Sequence, residues 1–187
     1  MKKVGTAEDS RKEEIELVRR AAAGAKDAFK ELYEIYVDRL YRFILFRTND
    51  PQLAEDLLSS VFLKAWENLG RFKTQQAPFG AWLFRIARNA IIDHYRVQKQ
   101  HDPLSEVEHS IADLSEDVQA QVEQRAEIET ILAAMARLTE EQREVLVLKL
   151  IEGLTTREIA LAMNKSEGAV RALQMRGLQS LSEILGS

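Results

Sequence analysis

Residue types that carry reactions are sparse in this 187-residue chain. His94, His101 and His109 are its only imidazoles, and their spacing fits no metal-ligand triad. The adjacent carboxylates Glu55-Asp56 and Glu140-Glu141 point to different sides of a helix, which makes them poor acid–base pairs. The absence of Cys removes disulfides, thiol nucleophiles and Cys-ligated metals. No Gly-rich phosphate loop occurs. Enzymatic activity, a metal and a cofactor are therefore not expected. Recognition chemistry is better represented. The interval 67–100 holds six bases (Arg71, Lys73, Arg85, Arg88, Arg96, Lys99) against two acids, net +4. Such a stretch suits salt-sensitive contact with phosphates, although its arginines also fit a solvated helix face.

These residues need helices to hold them. Few Gly and Pro, with 45% hydrophobic residues, predict an all-α protein. A short helix is expected over Glu13–Ala23, closed by Gly24, with Asp27 as the next N-cap. Phe29, Leu32, Tyr36, Leu40, Phe43 and Ile44 follow helical spacing. Asp50-Pro51 reads as an N-cap followed by Pro at the first helical position. Leu53, Leu57, Val61, Phe62 and Trp66 form the next apolar stripe. After a loop near 70–78, a third strong helix starts at Phe79 and runs to about Arg96. Trp82 falls on its apolar face, so core packing is favoured there over a binding role.

Residues 1–12 are polar and expected to fray, and 99–124 read as a linker. Between His101 and Thr130 nine acids face one base, net −8. Beyond it, a helix from near Val122 ends at Leu138. Thr139–Gln142 and Thr155–Glu158 are capping boxes, the first opening a helix with Val145, Leu146, Leu148 and Leu150, which Gly153 stops. Asn164 sits where a tight turn needs a left-handed residue, and Ser166 caps a last helix over Glu167–Leu185. The organisation predicted is an N-terminal extension (1–24), one helical domain (25–98), an acidic linker (99–124) and a second helical domain (125–187). No apolar run is long enough to span a membrane, and the charged start carries no secretory signal. A reducing, cytoplasmic setting follows.

Thr155–Leu181 has the layout of a helix-turn-helix. Ile159 and Ala160 suit the helix crossing, and Val170 and Leu173 suit the inner face. In this motif the second helix enters the major groove by its N-terminal half. Arg171 and Gln174 have the chemistry to read base edges, whereas Arg157, Lys165 and Arg176 suit phosphates. Ser166 and Glu167 begin the same helix. A plain helical hairpin with solvated charges fits the same pattern.

Two blocks resemble bacterial RNA polymerase sigma factors of the extracytoplasmic-function group. Asp50-Pro51-Gln52-Leu53-Ala54-Glu55-Asp56 through Trp66, with Phe79-Gly80-Ala81-Trp82-Leu83-Phe84-Arg85-Ile86-Ala87-Arg88-Asn89, is similar to region 2. Leu138–Val145, Arg157-Glu158-Ile159-Ala160 and Gly168-Ala169-Val170-Arg171 are similar to region 4. The resemblance implies a promoter-recognition subunit that binds core RNA polymerase, reads −35 with the second domain and opens −10 with the first. It implies −10 contacts by Arg71, Phe72, Lys73, Gln75, Gln76, Arg85, Arg88, Asn89 and Arg96. It implies −35 contacts by Arg157, Lys165, Ser166, Glu167, Arg171, Gln174 and Arg176. The helix from Asp50 to Trp66 would dock on polymerase through Asp56, Ser59, Ser60 and Lys64, with Leu58 and Leu63 as exposed apolar anchors. Ser59-Ser60 depart from the Gln-Glu of many members. The recognition helix carries fewer cations than usual, which implies weaker phosphate anchoring. The family's linker runs near the RNA path of polymerase, where an acidic strand can imitate nucleic acid; a solvated spacer has the same composition. An anti-sigma factor is a further implied partner. A stand-alone helix-turn-helix regulator and a protein-binding adaptor are the competing readings.

Overall fold

The computed structural model describes residues 7–74, 76–101, 131 and 133–186. Residues 1–6 of the start expected to fray, Gln75, most of the linker and the first part of the helix expected from Val122 lie outside the described residues, while 131 and 133–136, at the end of that helix, are helical. Every regular element among the described residues is helical: α1 (Ala7–Ala22), α2 (Lys26–Thr48), α3 (Pro51–Asn68), α4 (Phe79–His101), α5 (Glu140–Leu146), α6 (Thr156–Met163) and α7 (Glu167–Leu185). The all-α expectation is met.

The caps explain most boundaries. The Asp50 side chain accepts a hydrogen bond from Leu53 N at 3.1 Å, with Pro51 in the first turn. Thr139 and Gln142 satisfy both halves of a capping box, as do Thr155 and Glu158. Each removes orphan donors that an uncapped end would leave. Three expectations shift. Helix α1 begins at Ala7, because good helix formers with acids near the start extend back from Glu13. Helix α2 starts without a side-chain cap; Asp27 lies in its first turn and pairs instead with Arg20 of α1. Helix α4 runs on to His101, since nothing breaks it before Asp102-Pro103.

The first unit packs α2, α3 and α4 around one core, with α1 laid across α2. Phe43 of α2 meets Phe84 of α4 edge to face at 5.3 Å. Gly80 lets the start of α4 approach α2: a Cβ there would lie 2.8 Å from the Tyr36 hydroxyl oxygen. In the second unit α5 continues through a wide, π-helical turn, Val147–Ile151, before Gly153 at φ +67°. Leu150, within this wide turn, is 60% exposed, whereas Leu146 and Leu148 are buried. Gly177 of α7 crosses α5 closely, with Leu146 Cδ1 3.2 Å from where a Cβ would stand. The buried side chains of the two units merge into one continuous cluster, with α4 lying along α6.

Candidate nucleic-acid interface

The loop after α3 begins with a single 3-10 turn, Leu69–Arg71, and places Phe72 against α4. Phe72 lies 4.7 Å from Trp82 and 5.9 Å from Phe79, ring centre to ring centre. Phe72 and Trp82 then form one wall of a cleft of about 450 Å³ between α3 and α4. Lys64, Asn68 and Arg71 line it on one side, Ile86, Asn89 and Asp93 on the other. Half-buried Trp82 thus serves both readings of it, packing against the core and walling the cleft. The cleft has the size, the ring faces and the polar edge groups that an unstacked base needs. Arg71 and Asn89, which line it, are exposed, as are Lys73 and Gln76 of the loop before α4 and Arg85 on α4.

Two predicted −10 residues carry ion pairs. Arg96 is exposed but pairs with Asp93 one turn back, at 3.2 Å. Arg88 points away from the cleft into the junction with the second unit. Its Nε lies 2.9 Å from Glu144 Oε1.

On α3, Asp56, Ser59, Leu63 and Lys64 are exposed and Ser60 is half-buried. Leu63 is 59% exposed, as an anchor requires. Leu58 is not available: it is buried, so the expectation of an exposed anchor is corrected. It falls one turn from both Ala54 and Phe62, inside a wider apolar stripe than the first reading drew.

The second unit forms a helix-turn-helix. Asn164 adopts the left-handed conformation at φ 54°, closing α6, and the Ser166 hydroxyl accepts from Ala169 N at 3.2 Å. Ile159, Ala160, Val170 and Leu173 are buried at the crossing. Arg157, Glu167, Arg171, Met175 and Arg176 are exposed, with Ser166 at the leading end and Gln174 half-buried. Arg171 leans on Glu167 at 2.9 Å, and Lys165 on Glu141 at 2.7 Å.

Sequence reasoning missed several polar residues. Arg143 is buried and donates to the carbonyls of Met135, Ala136 and Leu138 at 2.9–3.2 Å, tying the preceding helical turn to α5. Burial holds its guanidinium below the usual arginine range. Arg39 of α2 donates to the side chain and the main-chain carbonyl of Glu152, and lies over the rings of Tyr36 and Phe84. Burial pushes the Glu152 carboxyl up, partly offset by Arg39. Arg47 of α2 pairs with Glu140 and Glu144. The partners of Arg39 and Arg47 lie far apart in sequence, and a local pattern carries no signal for them.

A concave aromatic cleft edged by cations and a helix-turn-helix, on one chain, define a two-part nucleic-acid-binding protein. Residues 32–101 match Sigma-70 region 2, and residues 128–181 match Sigma-70, region 4. The chain is 37% identical to the sigma factor BldN of Streptomyces coelicolor over 91% of its own length, spanning 65% of that relative. It is 32% identical to SigM of Bacillus subtilis over 82% of its length and 93% of SigM. The solved structure of CnrH, in complex with the cytosolic domain of CnrY, covers 93% of this chain at 26% identity and a TM-score of 0.69. The chain belongs to the sigma-70 family of RNA polymerase sigma factors, in its extracytoplasmic-function group. No helix among the described residues is long and apolar enough to cross a membrane.

Proposed function

We propose that this chain is a non-enzymatic initiation factor that binds core RNA polymerase in the cytoplasm and directs it to promoters with two separate DNA contacts. Residues 25–98 form the polymerase- and −10-binding domain, and 125–187 the −35-binding domain. The exposed flank of α3 (Asp56, Ser59, Leu63, Lys64) docks on polymerase. The Phe72–Trp82 cleft holds a base flipped from the melted −10 strand. Phe72 and Trp82 supply stacking, Asn89 and Gln76 read the base edge, and Arg71, Lys73 and Arg85 meet the backbone. Stacking on such rings contributes about 1–3 kcal/mol per base, enough to offset unstacking. The N-terminal half of α7 reads −35 through Arg171 and Gln174, while Arg157 and Arg176 hold phosphates. An anti-sigma factor holds the chain inactive by covering these faces.

The observation that carries this reading is the cleft on α4 together with a helix-turn-helix, in the order of regions 2 and 4 on one chain. Reconstitution tests it. Added to core polymerase, the purified chain gives start-site-specific transcripts, while alone it leaves no footprint on duplex promoter DNA. A sharp polymerase-independent footprint with no stimulation of core would replace it with a stand-alone regulator.

A further inference from the structure

The junction between the two units is built from opposite charges. Arg39 and Arg47 of α2 and Arg88 of α4 lie on the first unit; Glu140, Glu144 and Glu152 lie on the second. At its centre the Glu144 carboxylate sits between two guanidiniums. Its Oε2 is 3.1 Å from Arg47 Nη1 and its Oε1 2.9 Å from Arg88 Nε. The Glu144 and Arg47 side chains are only 1% and 4% exposed. Yet Arg47 Nη1, Arg88 Nε and Glu144 Oε1 lack hydrogen-bond alignment with any partner. The attraction is coulombic, without the directed bonds that make a buried ion pair strongly favourable.

This junction has to open for the function proposed above, on which the inference rests. A compact chain of this length is about 40 Å across. The −35 and −10 elements lie about 25 base pairs apart, about 85 Å of duplex at roughly 3.4 Å per step. When the units part, Glu144 leaves two arginines converging on an empty anion position, on the face of α4 beside its cleft face.

We propose that Arg47 and Arg88 form a phosphate cradle on the first unit. The Glu144 carboxylate fills it while the units are packed, and a backbone phosphate of promoter DNA replaces that carboxylate when they separate. Two-oxygen anions suit paired guanidiniums, and a phosphodiester offers the same two oxygens with a full charge.

The test exploits the fact that Glu144→Gln and Arg47→Gln break the same contact from opposite sides. Both variants of the full chain open the junction, read as a larger radius of gyration in solution scattering. With core polymerase on a cognate promoter they diverge. E144Q gives at least as many transcripts as the wild type. R47Q gives about tenfold fewer, the scale of one charged contact. It also lowers the slope of log affinity against log salt for the promoter complex by about 1. Circular dichroism melts confirm folding. If R47Q is unfolded, Arg47→Lys carries the test and shows the same loss at about threefold, because Lys keeps the charge but not the fork. Transcription rising equally in both variants assigns the junction to a latch alone and overturns the cradle. Loss of core affinity in R47Q without DNA assigns the arginines to an acidic surface of polymerase and also overturns it. A wild-type chain inert with core overturns the parent reading, and the cradle with it.

Discussion

Arg71, Lys73 and Arg85, around the cleft of α4, make no ion pair among the described residues, whereas at the recognition helix Arg171 is held by Glu167 and Lys165 by Glu141. The first surface meets a phosphate without giving anything up. At the second, Arg157 and Arg176 are likewise unpaired among the described residues, whereas Arg171 and Lys165 each give up a pair to meet DNA, although exposed helix pairs contribute only about 0.3–0.5 kcal/mol. The shapes differ as well. The first unit offers a concave cleft with one aromatic wall, Phe72 and Trp82; the second offers a helix with Met175 66% exposed beside its charges. The contrast fits the proposed capture of melted DNA by the first unit and a lighter, orienting grip on duplex by the second.

Several experiments break or sharpen that contrast. The largest effect is expected at Arg143, whose guanidinium satisfies three main-chain carbonyls inside the second unit. Arg143→Met strands them and costs about 3–5 kcal/mol, because buried groups lose charged partners. Calorimetry shows the second unit melting early while α1–α4 persist.

Next comes Trp82→Ala. Removing the cleft wall lowers promoter opening by about tenfold to a hundredfold, the equivalent of one stacked base. Permanganate reactivity of the −10 strand reads the loss, and a pre-melted template restores most of it.

Arg171→Ala with Gln174→Ala has a smaller effect on rate and a larger one on choice. Discrimination at the contacted −35 positions falls by about 1–3 kcal/mol per base pair, while −10 preference is untouched. Competition between templates mutated at −35 measures it.

The smallest effect concerns pH. Burial raises the Glu14 carboxyl above its ordinary value, Tyr36 donating to it opposes the rise, and Glu158 of α6 adds to it. A carboxyl raised on folding favours the protonated form. Its contribution to stability is therefore fully present below the ordinary carboxylate range and fades as pH climbs through the raised value. The advantage of Glu14→Gln over the wild type is then greatest at neutral pH, a fraction of a kcal/mol, and shrinks on acidification toward pH 4.5. Melts of the two chains across that range measure it.

What could be read from the sequence follows the range of the forces involved. Caps and turns were legible at Asp50, Thr139, Thr155, Asn164 and Ser166, because each is settled by atoms within a few residues. Glu140 and Glu141 were rightly separated as neighbours facing different sides: one reaches Arg47, the other Lys165. Leu58 was misplaced because its burial depends on how wide a stripe α2 and α4 cover. Of the junction arginines only Arg88 carries a reading from sequence, as solvated or DNA-facing, and Arg39 and Arg47 carry none. Their partners sit 56 to 113 positions away, a separation that only tertiary packing bridges.

The most direct measurement is transcription by core polymerase with this chain on a pool of random promoter DNA, with the start sites sequenced. The account predicts two enriched elements at one fixed spacing upstream of the start. Trp82→Ala weakens selection of the downstream element alone, and Gln174→Ala that of the upstream element alone. A single enriched element, or two that both vanish with either substitution, would contradict a chain that reads promoters with two independent hands.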